Sequence, residues 1–129
     1  MSELTAHLDV PLGRGAPAAA RRTVNAVLAG WGFHDADWLD ACAVVVSELV
    51  TNAVRHGGGL VELSIEAHGG RVTVAVADGS SVVPRRRDPD GVGGRGIALI
   101  EAFSNGWTVE NHHGGKRVRV ELEPYPGML

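Results

Sequence analysis

The chain has 129 residues, 44% of them hydrophobic and 21% charged, and a formal net charge of −3. That length sets the expectation of one domain with a sizeable core, and the slight acidic balance leaves no surplus of positive charge to displace counterions from phosphates, which excludes a general nucleic-acid binder. The single cysteine, Cys42, excludes an intramolecular disulfide and fits a reducing compartment, and neither a bilayer-length apolar run nor a leader-like start occurs, so the expectation is a cytoplasmic protein with no membrane association.

In chain order, Leu4, Ala6, Leu8, Val10 and Leu12 alternate with polar or small residues, which predicts a half-buried strand with Pro11 near its end. Pro17 before Ala18-Ala19-Ala20 opens a helix that Val24, Val27, Leu28 and Trp31 continue and Gly30 is placed to end. A second helix begins near Asp35 or Asp37, either of which could cap it, and stops at Gly57 to Gly59. Its residues Leu39, Cys42, Ala43, Val46, Leu49, Val50 and Ala53 fall on one arc that faces a core. Glu48, Asn52 and His56 stand four apart on the flank of that arc, with Arg55 beside them. A carboxylate and an amide oxygen one helical turn apart can reach a common hard cation or the reacting end of a phosphate ester. A charged residue taken singly is ordinarily a solvated helix face, but asparagine is a poor residue for the inside of a helix, so the set argues for a role.

Val61, Leu63 and Ile65 alternate with Glu62, Ser64 and Glu66, and Val72, Val74 and Val76 repeat the pattern after the turn His68-Gly69-Gly70. This hairpin, with one apolar and one polar face, predicts an antiparallel sheet covered by helices on one side, an α+β two-layer sandwich. If the second strand stays regular, Asp78 shares the face of Val72, Val74 and Val76 and directs its carboxylate between sheet and helices. A buried acid there needs a donor, such as a purine's exocyclic amine, and Gly79 lets a flat ring approach the backbone. The other reading is an aspartate opening a Gly79-Ser80 turn.

From Ser80 to Gly94 there is no hydrophobic period, and Arg85-Arg86-Arg87 reads either as a solvated charge run or as a lid over a triphosphate. Gly91, Gly93 and Gly94 lead into a helix start at Arg95-Gly96-Ile97, where free backbone amides could hold phosphate oxygens. The formal Gly-x-Gly-x-x-Gly from Gly91 to Gly96 follows a basic loop rather than a strand and does not signify a dinucleotide fold. The third helix ends near Phe103, and two strands follow, Trp107 to Asn111 and Lys116 to Leu122, with Val118, Val120 and Leu122 facing the core. His112 and His113 have no cysteine or carboxylate at ligand spacing and read as turn residues rather than zinc ligands. The tail from Pro124 to Leu129 is expected to be loose.

The pattern Glu48-x-x-x-Asn52-Ala-x-Arg55-His56-Gly57, with a strand ending in Asp78 and a glycine-rich approach to a helix, resembles the GHKL ATPases, the Bergerat-fold family of gyrase, MutL, heat-shock chaperone and histidine-kinase ATP domains. The resemblance runs over nearly the whole chain. Val-Ser-Glu48-Leu-Val-Thr-Asn52-Ala-Val-Arg-His56-Gly and Gly-Gly94-Arg95-Gly96-Ile97-Ala-Leu-Ile-Glu are most similar to the small anti-sigma-factor serine/threonine kinases. The resemblance implies a mixed, mostly antiparallel sheet covered on one face by three helices, with ATP and Mg²⁺ as cofactors. It implies that Asn52 coordinates Mg²⁺, that Asp78 with Gly79 reads adenine, and that Arg55 and the backbone around Gly93, Gly94, Arg95, Gly96 and Ile97 balance phosphate charge. Glu48 would orient or deprotonate a substrate serine for attack on the γ-phosphate. The implied partners are an anti-anti-sigma protein of STAS type, a sigma factor and a second copy of the chain. His56 stays open between helix-end packing and a site role. The chain departs from the family spelling at Asp78-Gly79-Ser80-Ser81, where Asp-x-Gly-x-Gly is usual, and at Gly115-Lys116, where the last strand usually begins Gly-Thr. A second reading therefore stands beside the kinase: a binding module of the same fold that sequesters a regulator with little or no nucleotide turnover.

Overall fold

The computed structural model describes residues 3–11, 13–56, 61–79 and 96–126. In order these form β1 (Glu3–Val10), α1 (Ala16–Gly30), α2 (Ala36–His56), β2 (Val61–His68), β3 (Arg71–Asp78), α3 (Gly96–Ala102), β4 (Ser104–His112) and β5 (Gly115–Leu122). The strands make one sheet in the order β1-β2-β3-β5-β4, and the helices pack on its apolar face, giving the expected α+β sandwich. The sheet differs from the mixed one expected, because every described pairing is antiparallel. β3 and β4 do run parallel, as a crossover through α3 requires, but β5 returns from β4 by a tight turn and inserts between them. That turn is His113-Gly114, with φ of 46° and 81°, the left-handed pair that a two-residue hairpin of right-handed twist needs.

Asp35, rather than Asp37, caps α2: its Oδ1 accepts the Trp38 amide at 2.9 Å. Of the arc read from the sequence, Cys42, Val46, Leu49, Val50 and Ala53 are buried, while Leu39 and Ala43 are half-buried. Trp38 and Val45 are buried as well. The apolar stripe is wider than one face because α2 is flanked by α1 and α3 and also lies on the sheet. Across from it, Leu63, Ile65, Val72, Val74, Val118 and Val120 line the inner face of the sheet, all nearly inaccessible. β4 begins at Ser104, earlier than expected, with a register irregularity between Ser104 and Gly106.

The expectation of a loose tail from Pro124 is corrected up to the last described residue, Pro126. Tyr125 packs edge-on against Phe33 and Trp38, with ring centroids 5.0 and 4.9 Å away. Its hydroxyl oxygen accepts the amides of His34 and Asp35, each at 2.8 Å, and its own amide donates to the Gly70 carbonyl at 2.9 Å. Trp38 Nε1 donates to the Glu123 carbonyl at 2.7 Å. These contacts fix the start of α2 at the end of the sheet where the β2–β3 turn lies and β5 leaves. A helix of 21 residues spans about 30 Å, and a strand of 8 residues about 26 Å. The last turns of α2 therefore reach the opposite end, where β3 stops at Asp78 and β5 starts at Gly115.

Candidate functional site

Glu48 and Asn52 lie in the C-terminal half of α2, both half-buried, one turn apart beside the buried Leu49 and Ala53 that anchor the helix to the core. Burial pushes the Glu48 carboxyl above its ordinary value, and the positive charge of Arg55 opposes that rise. Arg55 itself is exposed. Next to Glu48, Ser47 Oγ accepts a hydrogen bond from Arg21 Nη1 at 2.7 Å, tying α1 to α2.

At the end of β3, Asp78 is buried on the helix-bearing face, as strand parity predicts. The donor to its carboxylate is a residue that the sequence had flagged only as the loss of a hydroxyl: Lys116 Nζ lies 3.1 Å from Oδ1 and 2.9 Å from Oδ2. Lys116 stands directly opposite Asp78 in the β3–β5 ladder, and both side chains are almost wholly buried, at 3% and 2% exposure. A signal for this pair was present. Lys116 has the parity of Val118 and Val120, and an inward-facing lysine on a central strand demands an acid across from it.

Gly115, one residue earlier, packs so closely that a Cβ there would overlap the Asp78 carbonyl oxygen and come within 2.7 Å of Gly79 Cα. Gly79 itself is exposed at the strand end. The corner therefore sets the buried Asp78–Lys116 pair at the strand end beside the exposed Gly79, with the backbone of Gly115 packed against that of Asp78 and Gly79.

Of the other residues singled out, Gly96 is the first of α3, and Ile97 is 5% exposed within the core, which leaves only its backbone for a ligand. Gly93, Gly94 and Arg95 lie outside the described residues, as do Gly57 to Gly59, Ser80, Ser81, the arginines 85–87 and the side chain of His56. Among the described residues no cluster of three His, Cys, Asp or Glu side chains could hold a metal ion. The rings of His112 and His113 meet edge-on with centroids 4.2 Å apart, and His112 Nε2 lies 3.6 Å from Glu62. Asn52 fits Mg²⁺ in another way, since that ion beside a nucleotide is held by one or two protein oxygens together with phosphates and waters. No described helix is long and apolar enough to cross a membrane.

Residues 14–122 match the histidine kinase-like ATPase domain family. No protein of curated function matches the chain. Its fold is similar to that in the crystal structure of the RsbU and RsbW domains of Rv1364c from Mycobacterium tuberculosis, with a TM-score of 0.66 at 20% sequence identity. That likeness covers 94% of this chain and 32% of the other.

Proposed function

Because the chain belongs to the histidine kinase-like ATPase domain family, we propose that it binds ATP with Mg²⁺ where α2, β3 and β5 converge and works as an anti-sigma-factor-like regulatory protein serine/threonine kinase. Bound nucleotide supplies the transferable phosphoryl group. Asp78 and Gly79 would receive the adenine, Asn52 would hold the metal, and Arg55 with the backbone of Gly93, Gly94, Arg95, Gly96 and Ile97 would balance phosphate charge. Glu48 orients or deprotonates the serine hydroxyl of an anti-anti-sigma partner of STAS type. The same protein holds a sigma factor inactive, as a homodimer.

The observation that carries this reading is the environment of Glu48. Its carboxyl is half-buried, its affinity for a proton is raised, and it stands one turn from Asn52 at the end of the sheet that bears Asp78. A base for a hydroxyl works best when its proton affinity is lifted toward the working pH. One observation favours the second reading, a module that sequesters a regulator without turnover: the carboxylate meant for adenine is already paired with Lys116.

Calorimetric titration of ATP into the purified protein, with and without Mg²⁺, tests the first reading. Micromolar binding that needs Mg²⁺ and falls in Asn52→Ala supports it. No binding at millimolar ATP turns the assignment to the sequestering module. Transfer of the γ-phosphate to a STAS-type protein by the parent and not by Glu48→Gln separates kinase from nucleotide-binding module.

A further inference from the structure

We propose that Lys116 reads the base: its ammonium donates a hydrogen bond to N1 of adenine while Asp78 accepts from the neighbouring exocyclic amine. The proposal rests on the ATP-binding reading above and adds a specificity residue to it.

An ammonium has three N–H donors. Asp78 takes two, at 3.1 and 2.9 Å, and among the described residues no other acceptor is hydrogen-bonded to Nζ. The side chain is 3% exposed, so bulk water does little for a third donor that has no acceptor among the described residues, and a donor left unmade on a buried charge is costly. An acceptor arriving with a ligand relieves that cost.

The location selects which acceptor. The next inward pair on the same face of the ladder is Val76 opposite Val118, which fills its layer with no charge at all. A buried ion pair is seldom more stable than such an apolar pair, so stability alone gives no reason for a charged pair here. The pair sits instead at the strand end, beside the exposed Gly79, whose lack of a side chain lets a flat ring approach the backbone. Adenine carries a donor, its 6-amine, next to an acceptor, N1. Asp78 and Lys116 present the complementary order, acceptor next to donor. Guanine in the same pose offers its carbonyl oxygen to the carboxylate and its N1–H to the ammonium, reversed at both positions. The pair thus recognises the base at two points of opposite polarity and rejects guanine through both.

The test uses the intact chain and three nucleotides with Mg²⁺: ATP, 1-deaza-ATP, in which N1 is a C–H, and purine riboside triphosphate, which keeps N1 and lacks the amine. A hydrogen bond from a charged donor is worth roughly 10- to 100-fold in affinity. The expected result is weakening of that order for 1-deaza-ATP, and loss of the difference between ATP and 1-deaza-ATP in Lys116→Met. Equal binding of ATP and 1-deaza-ATP by the parent, with purine riboside triphosphate weakened, overturns the role of Lys116 and leaves the ATP reading standing. Absence of ATP binding by the parent overturns both. The comparison on the parent needs no variant, so poor folding of Lys116→Met does not blunt it.

Discussion

Lys116 and Asp78 face each other across β3 and β5 with the ammonium nitrogen within 3.1 Å of both carboxylate oxygens. Neither side chain is more than 3% exposed, so the pairing stands where water would otherwise solvate the two ions. Breaking a buried pair by removing one member leaves an uncompensated charge and costs about 3–5 kcal/mol. Lys116→Met should lower unfolding stability in urea by that amount. Adding Asp78→Leu to it should restore most of the loss, because a well-packed apolar pair does not need solvation. Full stability of the single variant would contradict the pairing.

Glu48 gives a pH-dependent outcome. Its folded value lies above the ordinary 4.5 because burial penalises the charged form. The folded state then holds the proton more tightly than the unfolded chain, so this residue's contribution is fully present below pH 4.5 and is lost as pH rises through the folded value. Glu48→Gln keeps the shape and cannot ionise. Its stability relative to the parent should be unchanged in acid and should rise as the pH passes upward through the carboxylate range. A difference between the two proteins that shrinks as pH rises would contradict the assignment.

Gly115 tolerates no side chain. The first atom added would collide with backbone of Asp78 and Gly79, which cannot swing aside as a side-chain tip can. Gly115→Ala should therefore cost about 1–3 kcal/mol or more through forced strand displacement. It should also disturb ATP binding more than a remote substitution of equal destabilisation, measured by melting and titration on the same sample.

Tyr125→Phe keeps the ring and removes the oxygen that accepts the His34 and Asp35 amides. The expected loss is about 1–2 kcal/mol, seen as a fall of several degrees in Tm. Removal of residues from Glu123 onward should cost more, because the carbonyl that receives Trp38 Nε1 goes with them.

Strand parity made most of the fold legible. Alternation at Val61 to Ile65 and Val72 to Val76 identifies the inner face, and its continuation to Asp78 is what decides between a buried carboxylate and an aspartate that opens a turn. The partner of Asp78 was harder to read because it depends on which strand lies beside β3. β5 inserts between β3 and β4, and no local period in the sequence encodes that insertion. Trp38 and Val45 escaped the helical arc because burial on several sides of α2 comes from neighbours far along the chain. Tyr125 was missed for a related reason. It sits between Pro124 and Pro126 with no periodicity, and it is held by a hydroxyl and single backbone contacts. On α2 the spacing of Glu48 and Asn52 was plain from the sequence, whereas the half-burial that lifts the proton affinity of Glu48 required the packed helix.

The clasp of Phe33, Trp38 and Tyr125 acts on α2 as a pivot does on a lever. Asn52 lies fourteen residues beyond Trp38, about 21 Å along the axis, so a tilt of about 3° at the pivot moves it by roughly 1 Å. Displacements of that size are enough to spoil a reacting geometry. On the kinase reading proposed above, the three rings at one end of α2 act together with the buried Leu49 and Ala53 at the other to align Glu48 and Asn52, so a substitution among the rings should lower phosphotransfer without touching a ligand.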